Sequence, residues 1–430
     1  MPSRRVAVLA DSDTRWKWGA SVARQIAPGH ELDAYFLRSR STPTERQLAE
    51  IGIVPDTRRE VPAARLVDDE ELANADIVVL AVAGGTVLAL AHSLGLAWAG
   101  REHRPVTVSG YVGVVYEKMV DGLMTRAGTD IVLANSGHDA RHFRSVFESV
   151  GVDPDSVVEC ALPFLGGDPY RPAPDRPFTV TFAVQPSVPK DRDARLTLLE
   201  RAAAHARRYP ERLVLIKLRS LPGEQTTHVE SAPYQLLVDS LAEPAPENLQ
   251  LVYGNMGEVL DRTDLLVTVS STAAMESMHR RIPTVILTDF GVREAHGNHY
   301  FVHSGCLASW DDIEAGALPQ PAPEWAAAHG IGKSDPYAAA RARVAALRAA
   351  GPLRPLRPYY TPGTAGIYLG SILRHNGFDE QGRPLPVPLG AGGRGRVRRM
   401  VRKVARRGAK RLYRVGYQRL APALRRWGAV

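Results

Sequence analysis

Three hydroxyls in a row, Ser270, Ser271 and Thr272, are followed by Glu276, four residues beyond Thr272. They come directly after a short apolar run, residues 265–269. A helix N-terminus offers free backbone N–H groups to an anion, and hydroxyls beside it add hydrogen bonds to the same phosphate. A carboxylate one turn into that helix suits a ribose hydroxyl. The plainer alternative is a helix cap with a Glu276–Arg280 pair on the surface. A cap needs one hydroxyl, and three in succession exceed that need. We therefore read this stretch as a nucleotide site.

Lys217 and Arg219 sit at the end of another apolar run, where alternation along a strand puts both cations on one face. Two cations there suit a diphosphate or a carboxylate. The alternative is a rim charge pair with Glu224 or Glu230 in the loop that follows, which also holds His228. Near the N-terminus a strand runs straight into Asp11-Ser12-Asp13. Either acid can cap the next helix, or serve as general base toward an acceptor hydroxyl, and Asp13 is the better candidate. His138 and His142 share a helix face without a third ligand nearby, so a solvated face is expected rather than zinc. No GxGxxG follows the N-terminal or any other strand-like run, and Gly84-Gly85-Thr86 alone is a weak phosphate signal.

The elements that must position these residues alternate. Apolar, β-branched runs at 6–10, 32–37, 77–82, 106–109, 130–134 and 157–161 are separated by helical stretches. Residues 56–67 look like a polar connection. The pattern makes residues 1–165 a doubly wound α/β domain. Residues 166–177, GGDPYRPAPDRP, make a linker. The alternation then restarts at 178, giving a second α/β domain over 178–350. The stretch 263–288 reads strand, turn, helix, strand. Ligands bind such parallel sheets at the carboxyl ends of the strands. A cleft between the two domains follows. Residues 289–300, polar with two histidines, suit a lid over it. A crossover segment, 351–390, carries a helix back to the first domain.

The chain has 430 residues, 44% hydrophobic and 23% charged, the balance of a water-soluble globular protein. It contains no run of eighteen apolar residues and no signal-peptide core, so a cytoplasmic location is expected. Cys160 and Cys306 lie far apart and read as free thiols. The formal charge of +8 comes from the C-terminus: residues 391–430 hold 14 Arg or Lys and no acid. Within that tail Val397, Val401, Val404, Leu412 and Val415 fall on one side at helical spacing. Residues 393–427 therefore suit an anionic membrane surface, on the inner face of the membrane. Nucleic acid is the less favoured partner, and a disordered basic tail the plain alternative.

The second half resembles the donor domain of GT-B glycosyltransferases, and more narrowly bacterial capsule and surface-polysaccharide transferases and an actinobacterial group of glycosyltransferases. Gln185-Pro186 is similar to the family's Q-P turn. Ser270-Ser271-Thr272 with Glu276 is similar to its phosphate-holding S-S/T motif. Lys217-Leu218-Arg219 stands where such enzymes carry K-x-H-P, with Arg in place of His and no Pro directly after. The resemblance implies two Rossmann-like domains and transfer of a sugar from a nucleotide-sugar donor to a glycan or glycolipid acceptor. It implies no cofactor and no metal. Gln185, Lys217, Arg219, Glu224, Ser270, Ser271, Thr272 and Glu276 would bind the donor, and Asp13 and His228 would be catalytic. Alternatives on the same fold are a nucleotide-sugar 2-epimerase and a membrane-associated scaffold without catalysis.

Overall fold

The computed structural model describes residues 4–386, apart from residue 40 and residues 115–117, 222–223, 225–229 and 231. Its first sheet holds β1 (Arg5–Ala10), β2 (Glu31–Leu37), β3 (Thr57–Val61), β4 (Ile77–Ala81), β5 (Val106–Gly110), β6 (Ile131–Ala134) and β7 (Val157–Glu159). The spatial order is β3-β2-β1-β4-β5-β6-β7, and every pairing is parallel. Val8 sits between Ala34 and Val79 across this register. Runs such as VAVLA and IVVLA are buried from end to end, because helices cover both faces.

The second sheet is separate. It holds β8 (Thr179–Ala183), β9 (Leu213–Lys217), β10 (Leu249–Val252), β11 (Leu265–Thr268), β12 (Thr284–Leu287) and β13 (Leu307–Ala308), in the order β10-β9-β8-β11-β12-β13. Both sheets therefore reverse strand order beside their first strand, at β1/β4 and at β8/β11. These are the places where an open parallel sheet leaves a crevice for a ligand. Both sheets lie within one compact unit, Met1–Pro384.

Close packing fixes the helix that leaves β1. A Cβ on Gly19, in the helix Asp13–Ile26, would stand 2.6 Å from both Ala81 Cβ and Val8 Cγ1. The missing side chain lets the helix sit directly on β1 and β4, which aims its first turns at the end of the sheet.

Three expectations need correction. Residues 57–61 are not connection but strand β3. Its sequence, TRREV, alternates half-buried and exposed side chains, as an edge strand does, so it lacks the continuous apolar run of its neighbours. The boundary expected at 350 does not match the packing. Tyr337, Ala340 and Val344 are buried in the core of the first sheet, so the helix Ala338–Ala349 belongs with the first lobe. The residues expected to form a lid, 289–300, are fixed to the second lobe. Asn298 is buried and donates to the Leu287 and Gly291 carbonyls.

The helix Pro362–His375 does pack on the first lobe, with Leu369 and Leu373 buried. Cys160 and Cys306 are free and buried. No helix among the described residues is long and apolar enough to cross a membrane. The basic tail, 391–430, lies outside the described residues.

Candidate functional site

A cleft of about 440 Å³ opens where the two sheets face each other, lined by both lobes. That volume is in the range that holds a nucleotide-sized ligand. The first lobe supplies Asp13, Thr14 and Lys17 from its first helix, with Gly113 and Val114 from the loop after β5. The second lobe supplies Gln185 after β8, Lys217 and Arg219 after β9, and Ser270 to Thr272 and Glu276 after β11. Eight of the ten residues singled out in the sequence thus meet at one place. Glu224 stands beside it rather than in its wall. His228 lies outside the described residues.

The geometry assigns those residues different work. Gln185 Oε1 accepts the Ser270 N–H at 3.2 Å, and Ser270 Oγ donates to the His296 carbonyl at 2.5 Å. Gln185 and Ser270 therefore brace the turn. Ser271 Oγ accepts the Ala273 N–H at 3.2 Å, the capping contact of the plainer reading. Its hydroxyl proton remains for an anion in the cleft. Thr272 is the N-cap residue but makes no side-chain cap, and its methyl faces Gly113 of the other lobe. The helix it opens, Ala273–His279, has seven residues, so it contributes less dipole than a long helix would.

Lys217 ends β9, and Arg219 stands two residues beyond the strand. Both line the cleft without the strand alternation expected for them. Lys217 Nζ donates to the Leu218 carbonyl at 2.7 Å. Burial, with no carboxylate in direct contact among the described residues, pulls its pKa down to about 8. Arg219 reaches across to the first lobe. It donates to Asp13 Oδ1 at 2.8 Å and also to the Thr14 hydroxyl.

Two more ion pairs cross the cleft. Lys17 Nζ lies 3.8 Å from Glu276 Oε1 and 4.6 Å from the centre of the Phe164 ring. Glu276 is buried, and desolvation raises its pKa against the pull of Lys17, Arg280 and Lys217. Arg46 holds Glu224 through two contacts, one of 2.7 Å, so Glu224 joins the lobes instead of facing a donor. Glu230 turns away and pairs with the buried Arg195. Asp11 accepts from Arg15 at 2.7 Å and from the Ala83 N–H at 3.2 Å, a structural tie between β1 and the turn after β4.

Lys17 and Arg46 were not singled out from sequence. A signal for Lys17 was present: it stands four residues after Asp13, on the same helix face. The His138–His142 face is partly solvated: His142 is exposed and His138 half-buried. The His138 ring stacks on His329 at 5.1 Å and meets His142 at 4.4 Å. Among the described residues no group of three His, Cys, Asp or Glu side chains is arranged for a metal ion.

Two doubly wound parallel lobes that face each other across a cation-lined cleft define a GT-B-like α/β protein. The chain belongs to the family described as "Putative glycosyltransferase (DUF6716)", whose model matches residues 6–347. No curated protein matches it. Among solved structures it is similar to one described as "putative UDP-N-acetylglucosamine 2-epimerase from Listeria monocytogenes", at 13% identity and a TM-score of 0.49, covering 80% of this chain and 94% of that one. The Neisseria meningitidis UDP-GlcNAc 2-epimerase bound to UDP-GlcNAc gives 12%, 0.47, 80% and 98%. The wall teichoic acid polymerase TagF gives 13%, 0.41, 73% and 79%.

Proposed function

We propose that this protein transfers a sugar from a nucleotide-sugar donor to a glycan or glycolipid acceptor. One observation carries the reading: Lys217 and Arg219 of the second lobe converge in the interlobe cleft with Lys17 and the acid Asp13 of the first helix. Family membership supports a transferase. In the reaction the acceptor hydroxyl attacks the anomeric carbon. The bond from that carbon to the phosphate oxygen breaks, and the nucleotide leaves with its negative charge. Lys217, Arg219 and the Ser271 hydroxyl meet that charge, which stabilises the transition state electrostatically. Asp13 takes the acceptor proton. Gln185 and Ser270 hold the turn in place, and Glu276 takes a ribose hydroxyl. Residues 393–427 attach the enzyme to the inner face of the membrane.

The test is a panel of nucleotide sugars in a thermal-shift screen, followed by turnover assays with glycan and glycolipid acceptors. Release of nucleotide that depends on an acceptor supports transfer. Epimerised donor without an acceptor would assign the cleft to the epimerase chemistry. Stabilisation by no nucleotide at all would reject the reading.

A further inference from the structure

We propose that the outer face of the first lobe, built by the helix Pro362–His375 with Tyr359 and Val120, docks on an anionic lipid bilayer. This contact is made by the folded body. It is separate from the basic residues 391–430 and does not depend on the transfer reading.

The helix is apolar on two sides. Leu369 and Leu373 are buried against the helix Gly84–Ala97. On the other side Ile367 is 92% exposed and Tyr368 46% exposed. A surface helix ordinarily turns one apolar stripe inward and polar residues outward. The outward residues are not scattered. Tyr359, Tyr360 and Tyr368 form a chain of edge-to-face rings, with centroids 5.2 and 4.9 Å apart. Tyr360 packs on the cluster that contains Leu123 and Met124. Burial pushes up the pKa of both Tyr360 and Tyr368, and the nearby Asp121 carboxylate adds to it. The helix Met119–Met124, with its exposed Val120, therefore borders the same face.

Charge selects the partner. From residue 336 to residue 378 the chain holds six Arg and no Asp or Glu. Arg341, Arg348 and Arg374 are neutralised by Asp335, Asp76 and Glu380. Arg354 and Arg357 are exposed and form no ion pair among the described residues, nor does Lys118 beside Val120. The Asp121 carboxylate also lies by this face, near Tyr360 and Tyr368. An exposed aliphatic side chain, phenols with one apolar and one wet end, and unpaired cations together match the boundary of an anionic bilayer. Arg357, two residues before Tyr359, and Lys118, two before Val120, are exposed and without an ion pair among the described residues, which favours an anionic surface over a protein partner of ordinary surface charge.

The experiment is flotation of the full-length protein with phosphatidylglycerol–phosphatidylcholine vesicles and with phosphatidylcholine vesicles alone. Ile367→Glu combined with Tyr368→Ser should lower the partition coefficient on anionic vesicles by roughly tenfold or more. Arg357→Glu should lower it several-fold and weaken its salt dependence. Val54→Glu, at an exposed valine elsewhere on the first lobe, should leave it unchanged. Melting temperature and circular dichroism check folding, and the single Ile367→Glu at its open position serves if the double variant melts early. Flotation of Ile367→Glu and of the double variant at the parent's level would overturn the proposal and leave membrane binding to residues 391–430. A change in oligomeric state with unchanged flotation would assign the face to a second copy of the chain instead. Equal binding of the parent to neutral and anionic vesicles would refute the anionic partner.

Discussion

Arg219, from the second lobe, donates to Asp13 Oδ1 of the first lobe at 2.8 Å. The pair joins the residue expected to meet the leaving phosphate to the residue expected to take the acceptor proton. A bound diphosphate would compete with Asp13 for the guanidinium and free the carboxylate for the acceptor. Asp13→Asn should therefore lower kcat by about 10²- to 10⁴-fold, while nucleotide affinity stays level or rises slightly. Steady-state kinetics beside calorimetry checks this. A variant with parental kcat would remove Asp13 from the chemistry.

The phosphate side has its own test. Ser271 Oγ already accepts the Ala273 N–H, so Ser271→Ala removes a cap as well as a phosphate donor. The cap alone is worth about 0.5–2 kcal/mol of stability. Loss of a hydrogen bond to a charged group, about 1.5–3 kcal/mol, should weaken nucleotide binding roughly ten- to a hundredfold. Denaturation and calorimetry on the same protein separate the two effects. Reduced stability with unchanged affinity would leave the hydroxyl as a cap only.

Lys217 sets a pH dependence. Burial lowers its pKa from 10.5 to about 8, so the ammonium is present below that pH and is lost above it. A nucleotide that needs the charged form binds most tightly below pH 8, and its affinity falls by up to about tenfold per pH unit above. The direction for stability is separate. Between about 8 and 10.5 the unfolded chain holds this proton and the folded one does not, so the contribution of Lys217 to stability rises with pH there. Titrating nucleotide affinity from pH 6.5 to 9.5 tests the first claim. Lys217→Met should flatten the curve.

Glu276 and Lys17 lie on opposite lobes and face each other. Glu276→Gln should weaken binding of nucleoside phosphates but leave inorganic phosphate unaffected, because only the nucleoside carries the ribose. Lys17→Met should weaken both, since it removes a cation from the cleft. Equal losses for nucleotide and phosphate in Glu276→Gln would mean that the carboxylate acts through Lys17 rather than on the ribose.

Gly19 positions the first helix. A Cβ there meets Ala81 and Val8 at 2.6 Å, so Gly19→Ala must lift the helix that carries Asp13 and Lys17. The expected cost is about 1–3 kcal/mol in chemical denaturation, together with lower turnover. A fully stable and active Gly19→Ala would show that the sheet end tolerates a raised helix.

What the amino-acid sequence determined by itself was local and periodic. Unbroken apolar strands such as VAVLA and IVVLA announce parallel sheets covered on both faces. The restart at residue 178 announces a second sheet, and the hydroxyl cluster marks where β11 ends. Residues at strand ends were legible because the ligand side of a parallel sheet follows from chain direction alone. Edge strand β3 was not legible, since a half-exposed TRREV has the pattern of a connection. The tertiary structure alone decided which side chains from different lobes meet. Arg219 and Asp13 are 206 residues apart in the chain, and Arg46 and Glu224 are 178 apart. Nothing local in either partner encodes the other. Each pair forms because two separately built sheets bring their carboxyl ends to the same cleft, and only there do unpaired charges find one another in place of water.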